Sequence, residues 1–292
     1  MRFVKKVVRK LRDSMIKKVS YFLIVFVSVL SCFPVFLLLV GAIASKEELG
    51  LYLKGILGDQ GKAYMVIFPA FPTLQGFFEL LLDQPEFYVV FWNSVKLTFL
   101  IVAGQFVISV PAAWGFSRWH GKASSTLYYI YTVLMLLPFQ VTMLSNYIVI
   151  DKLGILDTHS AVILPAVFST FPVFIIYRYF CKIPKELYEA FSLDSSSQFK
   201  LFWHMGLPLA MPGIKAAMLL NVIEYWNMVE QPLLFLKTPF LFPFSIYMPK
   251  VSKENISYIF VFSFVVLVPM AVISYWGRDE IQGGIGTLVL KT

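Results

Sequence analysis

Six stretches of this 292-residue chain are apolar over a length that can cross a lipid bilayer. One helical crossing needs about 20 apolar residues. In lipid every backbone N–H and C=O must find a partner within the protein, and a helix meets that need within one segment. The sequence therefore predicts an all-α membrane protein with six transmembrane helices, over Val19–Ala44, Leu97–Ser117, Ala123–Ile150, Thr158–Tyr177, Gly213–Leu236 and Asn255–Gly277.

Composition also points to the membrane. Hydrophobic residues make up 58% of the chain and charged residues only 14%, whereas a soluble domain carries about 25% charge. The two cysteines lie inside the first span and at the end of the fourth, so we predict no disulfide between Cys32 and Cys181. Prolines within or beside the spans each remove a backbone donor and favour a kink; they are Pro34, Pro111, Pro138, Pro165, Pro172 and Pro269.

Basic residues predict the orientation. Eight of the 25 Lys and Arg residues precede Val19, and positive residues beside a first span hold that end in the cytoplasm. With six spans, seventeen basic residues lie on inner segments and seven on outer ones. We expect an N-in/C-in protein of a bacterial or archaeal cell membrane. The basic run is expected to contact anionic lipid rather than nucleic acid.

This topology divides the chain into a basic cytoplasmic tail, 1–18, and a transmembrane domain, 19–292. The domain has outer loops at 45–87 and 237–255, a cytoplasmic loop at 182–212 and a cytoplasmic tail at 278–292. Within the first outer loop, the apolar run Leu74–Leu82 predicts a short helix along the membrane surface. Three prolines in 237–255 predict an irregular, partly extended course there.

The cytoplasmic loop is the most informative polar segment. Pro184 and Glu186 suit the first turn of a helix, and Ser195-x-x-Gln198 is a capping-box pattern that opens a second one. The second helix is expected to run from Ser196 to about Met205 and to end at Gly206 and Pro208. Its aromatic face either packs on the protein's own helix ends or fills a groove on a partner; that face comprises Phe199, Phe202 and Trp203.

The same loop resembles the EAA loop of ABC importer permeases. Glu189-Ala190, Leu193-Asp194 and Leu207-Pro208 match the motif in place, while Phe191 and Ser195 depart from it. Further segments are similar to the carbohydrate subfamily, namely Asn93-Ser94, 112–118, 137–142, 152–158, 163–165, 183–187 and 224–227. The chain is identified as a member of the MalG-like permeases of type I importers, which implies the type I ABC importer permease fold.

The resemblance implies three kinds of partner: a second, MalF-like permease subunit, an ATPase dimer, and an extracellular or periplasmic substrate-binding protein. It also implies that the EAA loop couples to the ATPase through Glu186, Glu189, Ala190, Leu193, Asp194, Ser195, Phe199, Leu207 and Pro208. A nucleotide-binding loop requires Gly-x-x-x-x-Gly-Lys-Ser/Thr, and the nearest string, 58–63, does not fit. We therefore expect a transport subunit rather than an enzyme, without cofactor or metal of its own, and with ATP and Mg bound by the partner ATPase.

Polar residues in the fifth span indicate a functional face. On a continuous helix Asn221, Glu224 and Gln231 fall in one arc with Asn227 at its margin. Such a stripe lines either a water-filled path or a buried seam between helices. We predict a substrate path along these four residues, with Gln140 of the third span as a further member. The expected function is import of sugars or oligosaccharides; the alternative is another solute such as glycerol phosphate, a polyamine or an amino acid.

Overall fold

The computed structural model describes residues 2–55, 62–64, 67–119, 121–194, 197–247 and 256–289, apart from the side chains of 2–16, 192, 194 and 284–289. In this part of the chain the regular elements are helices, and the one β contact is an isolated bridge between Ala44 and Pro72. The all-α fold predicted from the sequence is confirmed.

The chain forms two compact units. The first comprises residues 1–84 and 249–265, and holds α1 (Arg2–Ile43), α2 (Lys46–Tyr52), α3 (Gln75–Leu82) and the beginning of α13 (Ile256–Trp276). The second holds the rest of α13 together with α4 (Pro85–Arg118), α5 (Lys122–Met135), α6 (Phe139–Lys152), α7 (His159–Val167), α8 (Thr170–Phe180), α9 (Lys185–Asp194), α10 (Gln198–Leu201), α11 (Leu207–Trp226), α12 (Glu230–Phe235) and α14 (Arg278–Val289).

Five helical stretches of the described residues are long and apolar enough to cross a membrane: Lys17–Ile43, Pro85–Arg118, His159–Phe180, Gln198–Trp226 and Ile256–Trp276. The predicted third span is a bent pair, α5 and α6, whose axes differ by 102°. Pro138 lies at this break, where it lacks the N–H that a continuous helix needs and clashes with the preceding turn. Counting the pair as one span gives the predicted six. By contrast α1, α4 and α13 continue past their prolines.

The fifth span differs from its prediction. It was expected to run to Leu236, but α11 ends at Trp226 and a separate helix, α12, begins at Glu230. Pro232 lies just after this break, in the first turn of α12, where its missing N–H is not needed. The prediction that Gln231 shares a helical face with Asn221 is therefore wrong.

In the second unit, α4 packs against α7, α8 and α11. Small residues let the backbones approach closely, as is common between transmembrane helices. A Cβ at Gly213 of α11 would lie 2.1 Å from the ring of Tyr179, and one at Gly104 of α4 would lie 2.6 Å from Val167. The Tyr179 hydroxyl also donates to the carbonyl oxygen of Gly283 at 3.3 Å, so α14 of the predicted C-terminal tail lies beside α8 as well as α11.

The first unit contains residues 45–84 of the loop that the sequence predicts to lie on the outer side. The helix predicted over Leu74–Leu82 is present as α3, and its position on a membrane surface stays a prediction. Ala44, Leu49 and Ile256 form one buried hydrophobic cluster of this unit, with Phe260 packed against them. A Cβ at Gly41 would lie 2.3 Å from the Phe260 ring, so glycine is what permits α1 and α13 to approach here.

Candidate functional site

The loop at 182–212, which the sequence predicts to be cytoplasmic, forms two short helices, as predicted, but their boundaries differ. The second helix, α10, is capped by Ser197, whose hydroxyl oxygen accepts from the N–H of Lys200 at 3.4 Å. The predicted cap, Ser195, lies outside the described residues, as does the side chain of Asp194. The chain then continues without a break through a π-helical turn, Phe202–Gly206, into α11.

The predicted helix end at Gly206 and Pro208 is therefore wrong. The wider π turn absorbs the proline, because the N–H of Leu207 reaches back five residues to Phe202 and Pro208 falls in the first turn of α11. Gly206 has another role. A Cβ at this position would lie 2.4 Å from Cζ3 of Trp114, so only glycine lets the π turn pack against that ring.

The loop has one buried face and one exposed face. Ile183, Tyr188, Leu201 and Leu207 belong to the hydrophobic core, which assigns the predicted coupling residue Leu207 to packing. We call part of the exposed face the coupling surface, namely Glu186, Leu187, Glu189, Ala190, Leu193, Phe199 and Trp203. Lys182, Lys185, Gln198, Lys200 and His204 are exposed on the loop as well.

Exposure along the coupling surface is high for apolar side chains. Leu193 is 89% exposed, Phe199 71% and Trp203 48%, whereas Phe202 packs on the core. Of the two alternatives for the aromatic face, packing on the chain's own helices applies to Phe202, while the fit of Phe199 and Trp203 into a groove on a partner stays a prediction.

Trp114, near the end of α4, joins the loop to the spans. Its ring centroid lies 5.2 Å from that of Phe180 in α8, 5.9 Å from Tyr188 in α9 and 5.5 Å from Phe202 in the π turn. The guanidinium of Arg118 lies 4.1 Å from the centroid of the Tyr188 ring, a cation–π contact. Four elements therefore meet at one aromatic cluster.

Tyr188 holds α9 to α8 by a hydrogen bond. Its hydroxyl donates to the carbonyl oxygen of Phe180 at 3.3 Å. Burial raises the pKa of Tyr188 above its ordinary value, with a smaller opposing effect from Arg118. The phenol therefore stays protonated at neutral pH and remains a donor.

The predicted path residues fall into two groups, of which the first is a seam between helices. Asn221 is fully buried, and its amide donates to Oε1 of Gln105 at 2.7 Å. Gln105 in turn donates to the carbonyl oxygen of Ala166 at 2.8 Å, which Tyr225 also contacts at 3.4 Å. Of the two alternatives for the polar stripe, Asn221 fits the interhelical seam.

Sequence analysis missed Gln105, although a signal was present. The buried polar residues of α4 recur at helical spacing along one face; they are Ser94, Thr98, Gln105 and Ser109. Such a face in an apolar window is typical of helices that hydrogen-bond to one another in lipid.

The second group of path residues is exposed on the chain, except for Gln231. Glu224 and Asn227 lie at the end of α11, where the Asn227 amide donates to the carbonyl oxygen of Ile223 at 2.9 Å. Gln140 of α6 donates to the carboxylate of Glu230, which the sequence analysis had not assigned to the path. Gln231 is half-buried in α12, and its Oε1 has no hydrogen-bond partner among the described residues.

The loop at 237–247 packs within the second unit near the start of α4, the end of that helix away from the coupling surface. It is irregular apart from one 3₁₀ turn, as predicted. Asn93 donates to the carbonyl oxygens of Phe240 and Phe242 at 2.7 and 3.1 Å, and Ser94 accepts from the N–H of Phe244 at 2.9 Å. The Asn93-Ser94 pair noted in the sequence thus fastens this loop to α4.

Asp157 makes the densest contact with the same loop. Its Oδ1 accepts from the N–H groups of Lys237 and Thr238 at 2.7 and 2.9 Å, and its Oδ2 accepts from the Thr238 hydroxyl. Its own N–H donates to the carbonyl oxygen of Phe235 at 2.9 Å. These bonds lower the pKa of Asp157, the Thr238 hydroxyl having the largest effect.

Comparison with known proteins identifies the family. Residues 105–279 match the family described as binding-protein-dependent transport system inner membrane component. The chain belongs to this family. It is accordingly a transport subunit and a multi-pass membrane protein, as the sequence predicted.

Individual relatives have low sequence identity to this chain. The chain is 25% identical to the arabinooligosaccharides transport system permease protein AraQ of Halalkalibacterium halodurans, over 74% of this chain and 75% of that protein. It is 26% identical to the sn-glycerol-3-phosphate transport system permease protein UgpE of Yersinia enterocolitica, over 52% of this chain and 54% of that one.

A solved structure shares the fold. A chain from the crystal structure of a bacterial ABC transporter involved in the import of the acidic polysaccharide alginate superposes with a TM-score of 0.74 at 18% identity. The match covers 92% of this chain and 96% of that one. The importer permease fold predicted from the sequence is confirmed, and the N-in/C-in orientation stays a prediction.

Proposed function

We propose that this chain is the permease subunit of an ATP-driven, binding-protein-dependent importer of sugars or oligosaccharides. The observation that carries the proposal is the set of exposed apolar side chains on the coupling surface, Leu193, Phe199 and Trp203. Water-exposed Leu193 and Phe199 are unfavourable unless a partner covers them. The family membership makes an ATPase subunit the fitting partner.

In this proposal ATP hydrolysis occurs on a separate ATPase dimer, which binds ATP and Mg. The ATPase pushes on α9 through Glu186, Glu189, Ala190 and Leu193. Tyr188 and Trp114 pass the displacement to α4, α8 and α11, because their rings pack against all three parts of the chain. The helices then rock between inward-open and outward-open arrangements.

The substrate path is proposed to lie between this chain and a second, MalF-like permease. Glu224, Asn227, Gln140 and Glu230 offer carboxylate and amide acceptors to sugar hydroxyls, and an external substrate-binding protein delivers the solute. Sugar is favoured over the alternative because several segments are similar to the carbohydrate subfamily, and a relative named for arabinooligosaccharide transport aligns with 74% of the chain.

Charge placed on the coupling surface tests the ATPase contact. We expect Leu193→Arg and Ala190→Arg to abolish co-purification of the ATPase and solute uptake, because each puts a bulky cation into an apolar interface. Lys122→Ala is the control, since Lys122 is exposed at the first residue of α5, on the predicted cytoplasmic side. ATPase binding that survives both arginines contradicts the proposal, as does labelling of Leu193→Cys from outside intact cells.

The solute class needs its own measurement. Vesicles containing the full complex are offered neutral arabino-oligosaccharides or sn-glycerol 3-phosphate, and the substrate-binding protein is titrated with both by calorimetry. Uptake and binding of the oligosaccharide support the proposal. Uptake of the phosphate ester alone establishes the alternative while leaving the importer mechanism intact.

A further inference from the structure

The first outer loop exposes large apolar side chains although its backbone is firmly held. Ile67 is 52% exposed, Phe68 80% and Phe71 73%. We call Ile67–Phe71 the aromatic flap; its sequence, Ile-Phe-Pro-Ala-Phe, contains no charged or hydrogen-bonding side chain. A surface of this composition costs free energy in water, so a cover is expected.

A buried carboxylate anchors the flap. Glu48 of α2 is only 5% exposed, and its two oxygens accept from the N–H of Ala70 at 2.9 and 3.1 Å and from that of Phe71 at 3.3 Å. Charge-assisted bonds of this kind are among the stronger ones in proteins. The flap is therefore held in one place.

The flap is also tied to the end of α1. Pro72 forms a bridge with Ala44, and the N–H of Thr73 donates to the carbonyl oxygen of Ile43 at 2.8 Å. Residues directly after the flap thus lie level with the last turn of the first membrane span.

From there the flap folds back along α1. The ring of Phe68 lies 6.5 Å from that of Phe36 in an edge-to-face contact. Phe36 precedes Ile43 by seven residues, and a helix rises 1.5 Å per residue, so the contact lies about 10 Å inside the end of the span. Because α1 crosses the membrane, Phe68 reaches the depth of the bilayer.

The flank of α1 that the flap follows is a lipid-type surface. Gly41 faces Phe260 of α13, and Phe36 lies about 140° around the helix from Gly41 at 100° per residue. Val35, Phe36 and Leu39 are each more than a third exposed on α1. The flap therefore extends an apolar flank that packing against α13 leaves open.

We propose that the aromatic flap inserts into the lipid leaflet at the C-terminal end of α1, as a membrane anchor held in place by Glu48. Aromatic rings are favoured at the boundary between lipid and water, and a rigid loop loses little conformational entropy on insertion. Bilayer lipid is the committed occupant. This inference does not depend on the solute or on the ATPase contact.

Depth measurement with spin labels tests the proposal in the assembled complex within vesicles. Phe68→Cys is labelled with a nitroxide after Cys32 and Cys181 have been replaced by serine. Collisions with oxygen, which dissolves in lipid, and with a water-soluble nickel chelate are then compared. Leu30→Cys, at an exposed position of α1, is the lipid reference, and Lys62→Cys is the water reference.

We expect the Phe68 label to resemble the Leu30 label, with a several-fold lower collision rate with the chelate than the Lys62 label. Glu48→Gln, which weakens the anchor, is expected to raise chelate access at residue 68 towards the Lys62 value. The same measurement at Phe71→Cys covers the case in which the first variant fails to fold.

Two results overturn the proposal. Chelate access at both flap positions equal to that at Lys62 means that the flap lies in water. Low access to both oxygen and the chelate means that protein covers the flap, and a crosslink from residue 68 to the second permease then identifies that protein.

Discussion

Among single side chains, Asp157 stands out because its backbone adopts a left-handed conformation, with φ of 57°. A residue other than glycine is held there only when its surroundings compensate for the strain. Here the compensation is the set of hydrogen bonds to Phe235, Lys237 and Thr238 described above. Asp157 thus fixes the turn that follows α12, the helix that carries Glu230 and Gln231.

This arrangement predicts a pH dependence. The folded pKa of Asp157 is lowered, so its stabilising effect is fully present above the ordinary value of about 3.9 and is lost as pH falls through the folded pKa. We expect protection of the amides of Lys237 and Thr238 from hydrogen exchange to follow that course. In Asp157→Asn the protection is expected to be weaker at neutral pH, because the amide nitrogen cannot accept.

Hydrogen exchange read by mass spectrometry provides the measurement, with all values taken relative to unstructured reference peptides at the same pH. Asp151→Asn is the matched control, since Asp151 lies six residues earlier and is exposed. Equal protection in both variants at neutral pH contradicts the role of the Asp157 carboxylate in holding Lys237 and Thr238.

At the level of helices, the π turn between α10 and α11 is the most sensitive joint. Gly206→Ala introduces a methyl group 2.4 Å from the Trp114 ring, and such overpacking costs about 1–3 kcal/mol. We expect a lower melting temperature and less uptake per ATP hydrolysed, because the joint connects the coupling surface to α4.

The control for this change lies one residue beyond Trp114. A Cβ at Gly115 would meet no atom of the described chain within 4 Å, and alanine favours a helix interior by about 1 kcal/mol over glycine. Gly115→Ala should therefore not lower the melting temperature. The melting temperature is measured by thermal unfolding in detergent, and the uptake per ATP hydrolysed is measured in vesicles. A Gly206→Ala protein with unchanged values of both argues against close packing at Trp114.

At the scale of the assembled importer, the proposed contact between Glu224 and the solute predicts how a substitution there changes transport. A hydrogen bond to a charged group contributes about 1.5–3 kcal/mol, and 1.4 kcal/mol corresponds to a factor of ten. If Glu224 binds sugar hydroxyls, Glu224→Ala should lower the uptake rate about tenfold while basal ATP hydrolysis persists. Glu47→Ala is the control, since Glu47 is an exposed carboxylate of α2. Normal uptake with unchanged solute preference excludes Glu224 from the path.

Much of this protein follows from local sequence. Hydropathy over 20-residue windows identified the spans, because burial in lipid depends on composition within each segment. Pro138 and the polar run at 182–212 marked the bent span and the loop, since proline and amphipathic periodicity act over a few residues. Even the break before α12 was readable from Pro232, although the polar stripe was drawn through it.

Other features required the folded chain. Asn221 pairs with Gln105 across 116 residues of sequence, Trp114 meets Tyr188 and Phe202, and Glu48 holds a loop 22 residues away. From the sequence, Gly206 was interpreted as the end of a helix. In the folded chain the Trp114 ring packs against Gly206, and this contact explains why the residue is a glycine. Local patterns show which residues prefer water, lipid or a turn. Which side chains meet depends on how helices distant in sequence rotate and pack, and no window along the chain contains that information.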